Sequence, residues 1–329
     1  MKKRLVIKTL AACALATGAM GMLGTAQAQT TKLKWAHVYE TSEPFHKYSV
    51  WAAEEIKKRT NGKFEIQVFP ASSLGKETDI NQGMQLGTVD MIISGPSFAA
   101  RSYPRLGIAY YPFIFRDADH QAAYSKSDVF KEMVEGYRAK TGIQILAYTY
   151  YGARHTTSKT PFTDCAGMKG LKIRVPDVPT YTATPKACGA NPTPIAFAEV
   201  YLALQNGTVD AQENPLTTIE AKKFYEVQKH IMLTGHIVDG LTTQVAPHVW
   251  SKLTDAEKKI FSDVALEAAA RATAQIKKRE AELVDEFKKK GLGVHTVNRQ
   301  SFIDAVQKSA TVESLGFDRK DYDRIVAIK

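Results

Sequence analysis

The chain has 329 residues and a formal net charge of +10. Its Lys and Arg residues are scattered among acids rather than clustered with aromatics, which excludes a nucleic-acid-binding surface. Four of the cations, Lys2, Lys3, Arg4 and Lys8, belong to the N-terminal segment, and without them the excess falls to +6.

That segment reads as a cleaved leader. Met1-Lys2-Lys3-Arg4 is a positive start, Leu5 to Gly24 is apolar and rich in Ala, Gly and Thr, and Ala26-Gln27-Ala28 fits a small-x-small cleavage site. The expectation is a signal peptide over 1–28, export to the periplasm, and a mature chain from Gln29. No later stretch is apolar enough to span a bilayer. Cys13 leaves with the leader, so Cys165 and Cys188 remain as an even pair, either disulfide-bonded or two buried thiols. The remaining 301 residues are long for one core, so two lobes are expected.

Strand and helix patterns then alternate. Leu33 to Val38 reads as a strand, Pro44 to Thr60 as an amphipathic helix stopped at Asn61-Gly62, and Lys63 to Phe69 as an alternating strand. A helix from about Lys76 to Leu86 ends at Gly87, and Thr88 to Ser94 is a buried strand. Such alternation predicts α/β lobes with mainly parallel sheets. Met84-Gln85-Leu86-Gly87-Thr88-Val89-Asp90 is echoed 120 residues later by Leu204-Gln205-Asn206-Gly207-Thr208-Val209-Asp210, each copy closing a helix and entering a strand. The strands end at Ser94-Gly95-Pro96 and Asn214-Pro215, which two facing lobes would bring to one cleft. Thr254-Asp255-Ala256-Glu257 is a capping box opening a helix to about Lys290, long enough to lie across both lobes.

The chain carries no phosphate loop, dinucleotide fingerprint, zinc-protease motif or nucleophile elbow, and its eight histidines are dispersed. No enzyme, metal or cofactor is nominated. The chemistry that is present concerns binding. Arg174 sits in the apolar strand Leu171 to Val175, where a core would reject a charge, so an arriving carboxylate is the expected partner. Its alternative is a salt bridge to a protein acid. Arg154, after Tyr150-Tyr151-Gly152-Ala153, falls at a strand end facing the cleft. Asn214 can donate its amide while Pro215 holds the backbone extended. Phe197 is a candidate apolar wall, or else a core residue. His37, Tyr39 and Glu40 follow the first strand and either contribute or form a solvated loop.

The segments Gly152-Ala153-Arg154-His155-Thr156-Thr157, Gly167 to Pro176, Asn191 to Gln205 and Gln212-Glu213-Asn214-Pro215 resemble the signature of the periplasmic solute-binding subunits (DctP family) of tripartite ATP-independent periplasmic (TRAP) transporters. The resemblance runs from about Leu33 to the C-terminus. It implies a two-lobed periplasmic-binding-protein fold of type II-like architecture with one long helix spanning both lobes. With the crossings near Gly152 and Gly240, lobe I is expected over 29–151 plus 240–279, and lobe II over 152–239 plus 280–329. Arg174 matches the family's carboxylate-clamping arginine, Arg154 and Asn214 its supporting residues, and Glu77 a position that reads ligand hydroxyls. In the sialic-acid-binding branch an acid and a basic residue stand where this chain has Gly95 and Phe98, which argues against sialic acid. The implied function is capture of an organic acid, first a sugar acid such as glucuronate or galacturonate, by a monomer that delivers it to a membrane-embedded TRAP permease. A C4-dicarboxylate or 2-oxo acid is the alternative ligand. A secreted α/β enzyme acting on a carboxylate substrate is the alternative of another class.

Overall fold

The computed structural model describes residues 30–329, so the expected leader and its cleavage site lie outside the described residues. The chain opens with β1 (Thr31–Ala36), α1 (Pro44–Arg59), β2 (Phe64–Phe69), α2 (Glu77–Leu86), β3 (Met91–Ser94) and the short α3 (Pro96–Ala99). Pro44 and Pro96 each start a helix, where a missing N–H costs nothing. Helices α4 (Ala118–Tyr124) and α5 (Asp128–Thr141) follow, capped by the side chains of Asp117 and Ser127.

The chain then runs through the 15-residue strand β4 (Gln144–Ser158) into a second set: β5 (Lys172–Val175), α6 (Ala183–Ala187), β6 (Asn191–Pro194), α7 (Val200–Gln205), β7 (Ala211–Pro215) and α8 (Leu216–Ala221). It returns along the 16-residue strand β8 (His230–Val245), and ends with α9 (Pro247–Trp250), α10 (Asp255–Lys289), β9 (Gly293–His295), α11 (Arg299–Ser309) and α12 (Arg319–Val326).

One sheet orders the strands β2-β1-β3-β8-β4-β7-β5-β6, with β9 pairing β8. Its flanks are parallel, as the alternation predicts. The centre is not: β3-β8, β8-β4 and β4-β7 are antiparallel, so a mainly parallel sheet is mixed through its middle. The physical reason is the pair of long strands that carries the chain out and back, which must run in opposite senses. The C-terminal part of β8 pairs β3 (Ser94↔Thr242), whereas the C-terminal part of β4 pairs β7 (Arg154↔Pro215). The two flanks thus share only β4 and β8.

The β4–β8 ladder slips at Tyr150/Gly152, opposite Gly240 and Asp239. Gly152 has φ 129°, and a Cβ there would lie 2.6 Å from Glu280 Oε1 and 2.7 Å from Pro215 Cβ, so no other residue fits. Backbone donors at the slip are taken up by α10: Tyr150 N donates to Thr273 Oγ1 (3.2 Å) and Ala153 N to Glu280 Oε1 (2.9 Å). Helix α10 has 35 residues, about 52 Å at the helical rise, and opens on the capping box of Thr254 and Glu257. It packs on α1 near its start and on α8 and β9 near its end, with Ala265, Ala268, Ala269 and Ala272 buried on the side where it approaches β4 closely.

The echoed heptapeptides occupy matching places. Gly87 and Gly207 turn the chain at φ 75° and 77°. Asp90 Oδ2 accepts from Lys34 N (2.7 Å) and Asp210 Oδ2 from Lys172 N (3.3 Å), each tying its strand to the parallel neighbour. At the C-terminus α12 packs on α5, with Asp321 accepting from Arg105 and Glu132 from Arg324. Cys165 and Cys188 form a disulfide within a second hydrophobic cluster of Phe162, Met168, Ile173 and Phe302.

Candidate binding cleft

The strand ends of both flanks open on one cavity of about 390 Å³, in the size range of small-molecule sites. Six of the residues singled out in the sequence line it: Tyr39, Glu77, Arg154, Arg174, Phe197 and Asn214. His37 and Glu40 do not. His37 is buried behind the wall, with Nε2 3.2 Å from His46 Nδ1, and burial together with His46 lowers its pKa to about 3, so it stays neutral. Glu40 accepts from Lys222 Nζ at 2.7 Å.

Arg174 stands near the end of β5, between Gln212 of β7 and Thr193 of β6. It is 2% exposed, yet among the described residues it makes no ion pair. Its Nε and Nη2 donate to one carbonyl, Ile195 O, at 3.0 and 2.8 Å, which fixes the fork and leaves Nη1 without a partner. The guanidinium lies 5.9 Å from the Phe197 ring centre. Burial lowers its pKa to about 10, still charged at neutral pH. An uncompensated buried cation costs several kcal/mol, and a ligand carboxylate would offset it.

Arg154 is saturated instead. Glu213 grips its Nε and Nη2, Asp239 Oδ2 accepts from Nη1 at 2.7 Å, and Nη2 also donates to Glu213 O (2.7 Å) and Asn214 Oδ1 (3.2 Å). Burial alone would raise the Glu213 carboxyl; Arg154 and His236 Nε2, 3.2 Å away, hold it below its ordinary value. The alternative weighed for Arg174, a salt bridge to protein acids, is realised at Arg154. Asn214, held by Arg154 and donating Nδ2 to Gln212 Oε1 at 2.6 Å, keeps a second amide hydrogen for the cavity.

On the facing wall, Glu77 begins α2. Its Oε1 accepts from Ser94 Oγ (2.8 Å) and Gly95 N (3.2 Å), while Ser94 Oγ accepts from Asn81 Nδ2 (2.8 Å), so the donor sequence is fixed and Oε2 remains for a ligand. Burial raises Glu77 to about 7 despite those donors. Tyr39, Tyr151 and Tyr181 also line the cavity, and the Tyr39 ring lies 6.3 Å from Phe197 across it. Sequence reasoning missed Tyr151, Tyr181, Lys76, Glu213 and Asp239. Glu213 lay inside a quoted motif and its strand position could have been read; Tyr181 gave no signal. Among the described residues, no group of three or more His, Cys, Asp or Glu could hold a metal ion, and no helix is long and apolar enough to cross a membrane.

The family model DctP, bacterial extracellular solute-binding protein family 7, matches residues 35–313. A solute-binding protein of Roseobacter denitrificans is 35% identical over 266 residues, covering 81% of this chain and 80% of that protein. Its crystal structure, a TRAP periplasmic solute binding protein with bound L-galactonate, superposes with a TM-score of 0.84 over 90% of this chain and 98% of that one, at 30% identity. The sialic acid-binding periplasmic protein of Vibrio cholerae is 34% identical over 255 residues, covering 78% of this chain and 79% of that protein. A TRAP periplasmic solute binding protein of a Polaromonas species, bound to D-erythronate, superposes with a TM-score of 0.87 over 91% of this chain and 99% of that one, at 31% identity.

Proposed function

The chain belongs to the DctP family of bacterial extracellular solute-binding proteins, TRAP periplasmic subunits that bind solutes rather than transform them, and on that premise we propose that it captures a sugar acid in the periplasm and delivers it to a TRAP permease. The observation that carries the ligand class is Arg174, a buried guanidinium lining the cavity with no acid among the described residues to pair with. A ligand carboxylate takes Nη1, and the spare Asn214 amide hydrogen supports it. Arg154 acts through Asn214, whose orientation it fixes.

Glu77 selects the remainder of the ligand. Its free Oε2 accepts a hydroxyl hydrogen and repels a second carboxylate in the same dry space. A monocarboxylate bearing several hydroxyls satisfies both walls, with hexuronates such as glucuronate and galacturonate first. The L-galactonate and D-erythronate held by relatives are of this class. Residues at the β4–β8 slip, Gly152 and Gly240, serve as the hinge about which the flanks close. Crossings there divide the chain into 29–151 plus 240–279 and 152–239 plus 280–309, with 310–329 returning to the first lobe.

A diacid is the second reading, because Lys76 also lines the cavity and makes no ion pair among the described residues. A thermal-shift screen decides between them. Uronates and aldonates should raise the melting temperature while succinate and malate leave it unchanged; the opposite pattern would remove Glu77 as the selecting group.

A further inference from the structure

The two walls of the cleft touch through polar contacts on two rims of the ligand cavity. On one rim Arg101, just past α3, reaches Asp177, just past β5; both side chains are half exposed or more. On the other, the segment after β1 meets α8 and the residue following it. Lys222 Nζ donates to Glu40 Oε1 at 2.7 Å, with side-chain exposures of only 14% and 29%. One turn earlier on α8, the fully buried Thr218 Oγ1 donates to Glu43 Oε1 at 2.8 Å, and Glu43 Oε2 accepts from Glu40 N at 2.8 Å. The segment 40–43 is therefore held on both its charged positions by the opposite wall.

This second rim also reaches the ligand floor. The Lys222 ammonium lies 5.2 Å from the centre of the Phe197 ring, the same ring that Arg174 approaches at 5.9 Å and that Tyr39, the neighbour of Glu40, meets at 6.3 Å. Of these, Lys222–Glu40 and Tyr39–Phe197 join the two walls, whereas Lys222, Arg174 and Phe197 share one wall. Lys222 thus touches the closing segment and the floor beneath the carboxylate clamp at once.

We propose that Lys222 is a positioning residue for ligand retention: by pairing with Glu40 across the cleft while resting on Phe197, it holds the Tyr39–Glu43 segment over the bound acid and sets its dissociation rate. The inference rests on the sugar-acid reading above. Because the pair forms only after closure, it acts on release and not on encounter.

The test is stopped-flow binding of D-galacturonate, or of the sugar acid giving the largest thermal shift in the screen. Lys222→Met keeps the stem on Phe197 and removes the charge. It should raise the dissociation rate about fivefold, the scale of a partly buried ion pair, with the association rate unchanged. Glu40→Gln should match it, the double variant should be no worse than either single one, and the swap Glu40→Lys with Lys222→Glu should recover most of the loss. Additive losses, or a dissociation rate unchanged in Lys222→Met while the wild type binds, would overturn the role of Lys222. No sugar acid binding to the wild type would instead overturn the reading on which it rests.

Discussion

Arg154 and Arg174 differ in what surrounds equal burial. Both are 2% exposed and both face the same cleft. Arg154 spends its donors on Glu213, Asp239 and Asn214, so its charge is answered within the protein. Arg174 donates to a single carbonyl and, among the described residues, is answered by no acid. A saturated buried guanidinium holds the wall together; an unsaturated one waits for an anion. The contrast separates architecture from recognition within one pocket, and it can be broken by experiment.

The largest effect is expected at the saturated arginine. Arg154→Met leaves Glu213 and Asp239 buried without their cation, a loss of about 3–5 kcal/mol of folding stability. Thermal and denaturant unfolding would read it. A variant that unfolds at the wild-type midpoint but no longer binds would mean that Arg154 belongs to recognition after all.

Next comes the unsaturated one. Arg174→Lys keeps a charge but not the fork, and should weaken ligand affinity by about 1–3 kcal/mol in calorimetry. Stability should hold, because no acid among the described residues loses a partner. Unchanged affinity with an intact circular dichroism spectrum would take Arg174 out of the site.

Much of this contrast was legible in the sequence, and its limits are physical. Arg174 stood out because a charge inside Leu171 to Val175 breaks an apolar strand, which is a local signal. Saturation of Arg154 was not legible. Its partners come from β7 and β8, 59 and 85 residues away, and only the antiparallel centre of the sheet brings them together. That antiparallel centre carries no local signal, since periodicity reports strands but not their pairing. The echo at 84–90 and 204–210 did reveal the two flanks, because helix, glycine turn and strand are all local features. Glu77 was found by resemblance, while its neighbour Lys76 and Tyr181 lay in segments with no pattern to mark them.

Glu77 offers a smaller and directional effect. Its pKa is raised to about 7 in the fold, above its ordinary 4.5, because burial favours the neutral acid. The folded state binds that proton more tightly, so Glu77's contribution to stability falls as pH rises from about 4.5 to about 7. Ligand binding should run the other way. Oε1 is taken by Ser94 and Gly95, so the proton of the neutral acid would sit on Oε2, and only the ionised form offers the ligand's hydroxyl a charged acceptor there. At pH 6 about a tenth of Glu77 is ionised, so affinity should be several-fold to about tenfold weaker than at pH 8. Glu43 shares the raised value, and hence the stability slope, but does not line the cavity. Glu77→Gln should therefore flatten the affinity profile and only part of the stability profile. An affinity profile that stays steep in Glu77→Gln would assign the proton to another group.

The smallest effect should come from Arg101, which tests whether any arginine near the cleft counts. It donates Nη2 to Asp177 O (2.6 Å) and Oδ2 (2.9 Å), a contact as short as those of Arg154. Its environment is opposite, however: the side chains are 50% and 61% exposed, so water and salt screen the pair and both ends remain hydrated when it breaks. Arg101→Ala should cost less than about 1 kcal/mol of ligand affinity at low salt and nothing measurable at high salt. Distance alone would predict a loss like that of Arg154; burial predicts almost none. A tenfold loss that persists at high salt would show that the rim is dry in the closed state, and that the Arg101–Asp177 contact clamps the cleft as firmly as Lys222 and Glu40.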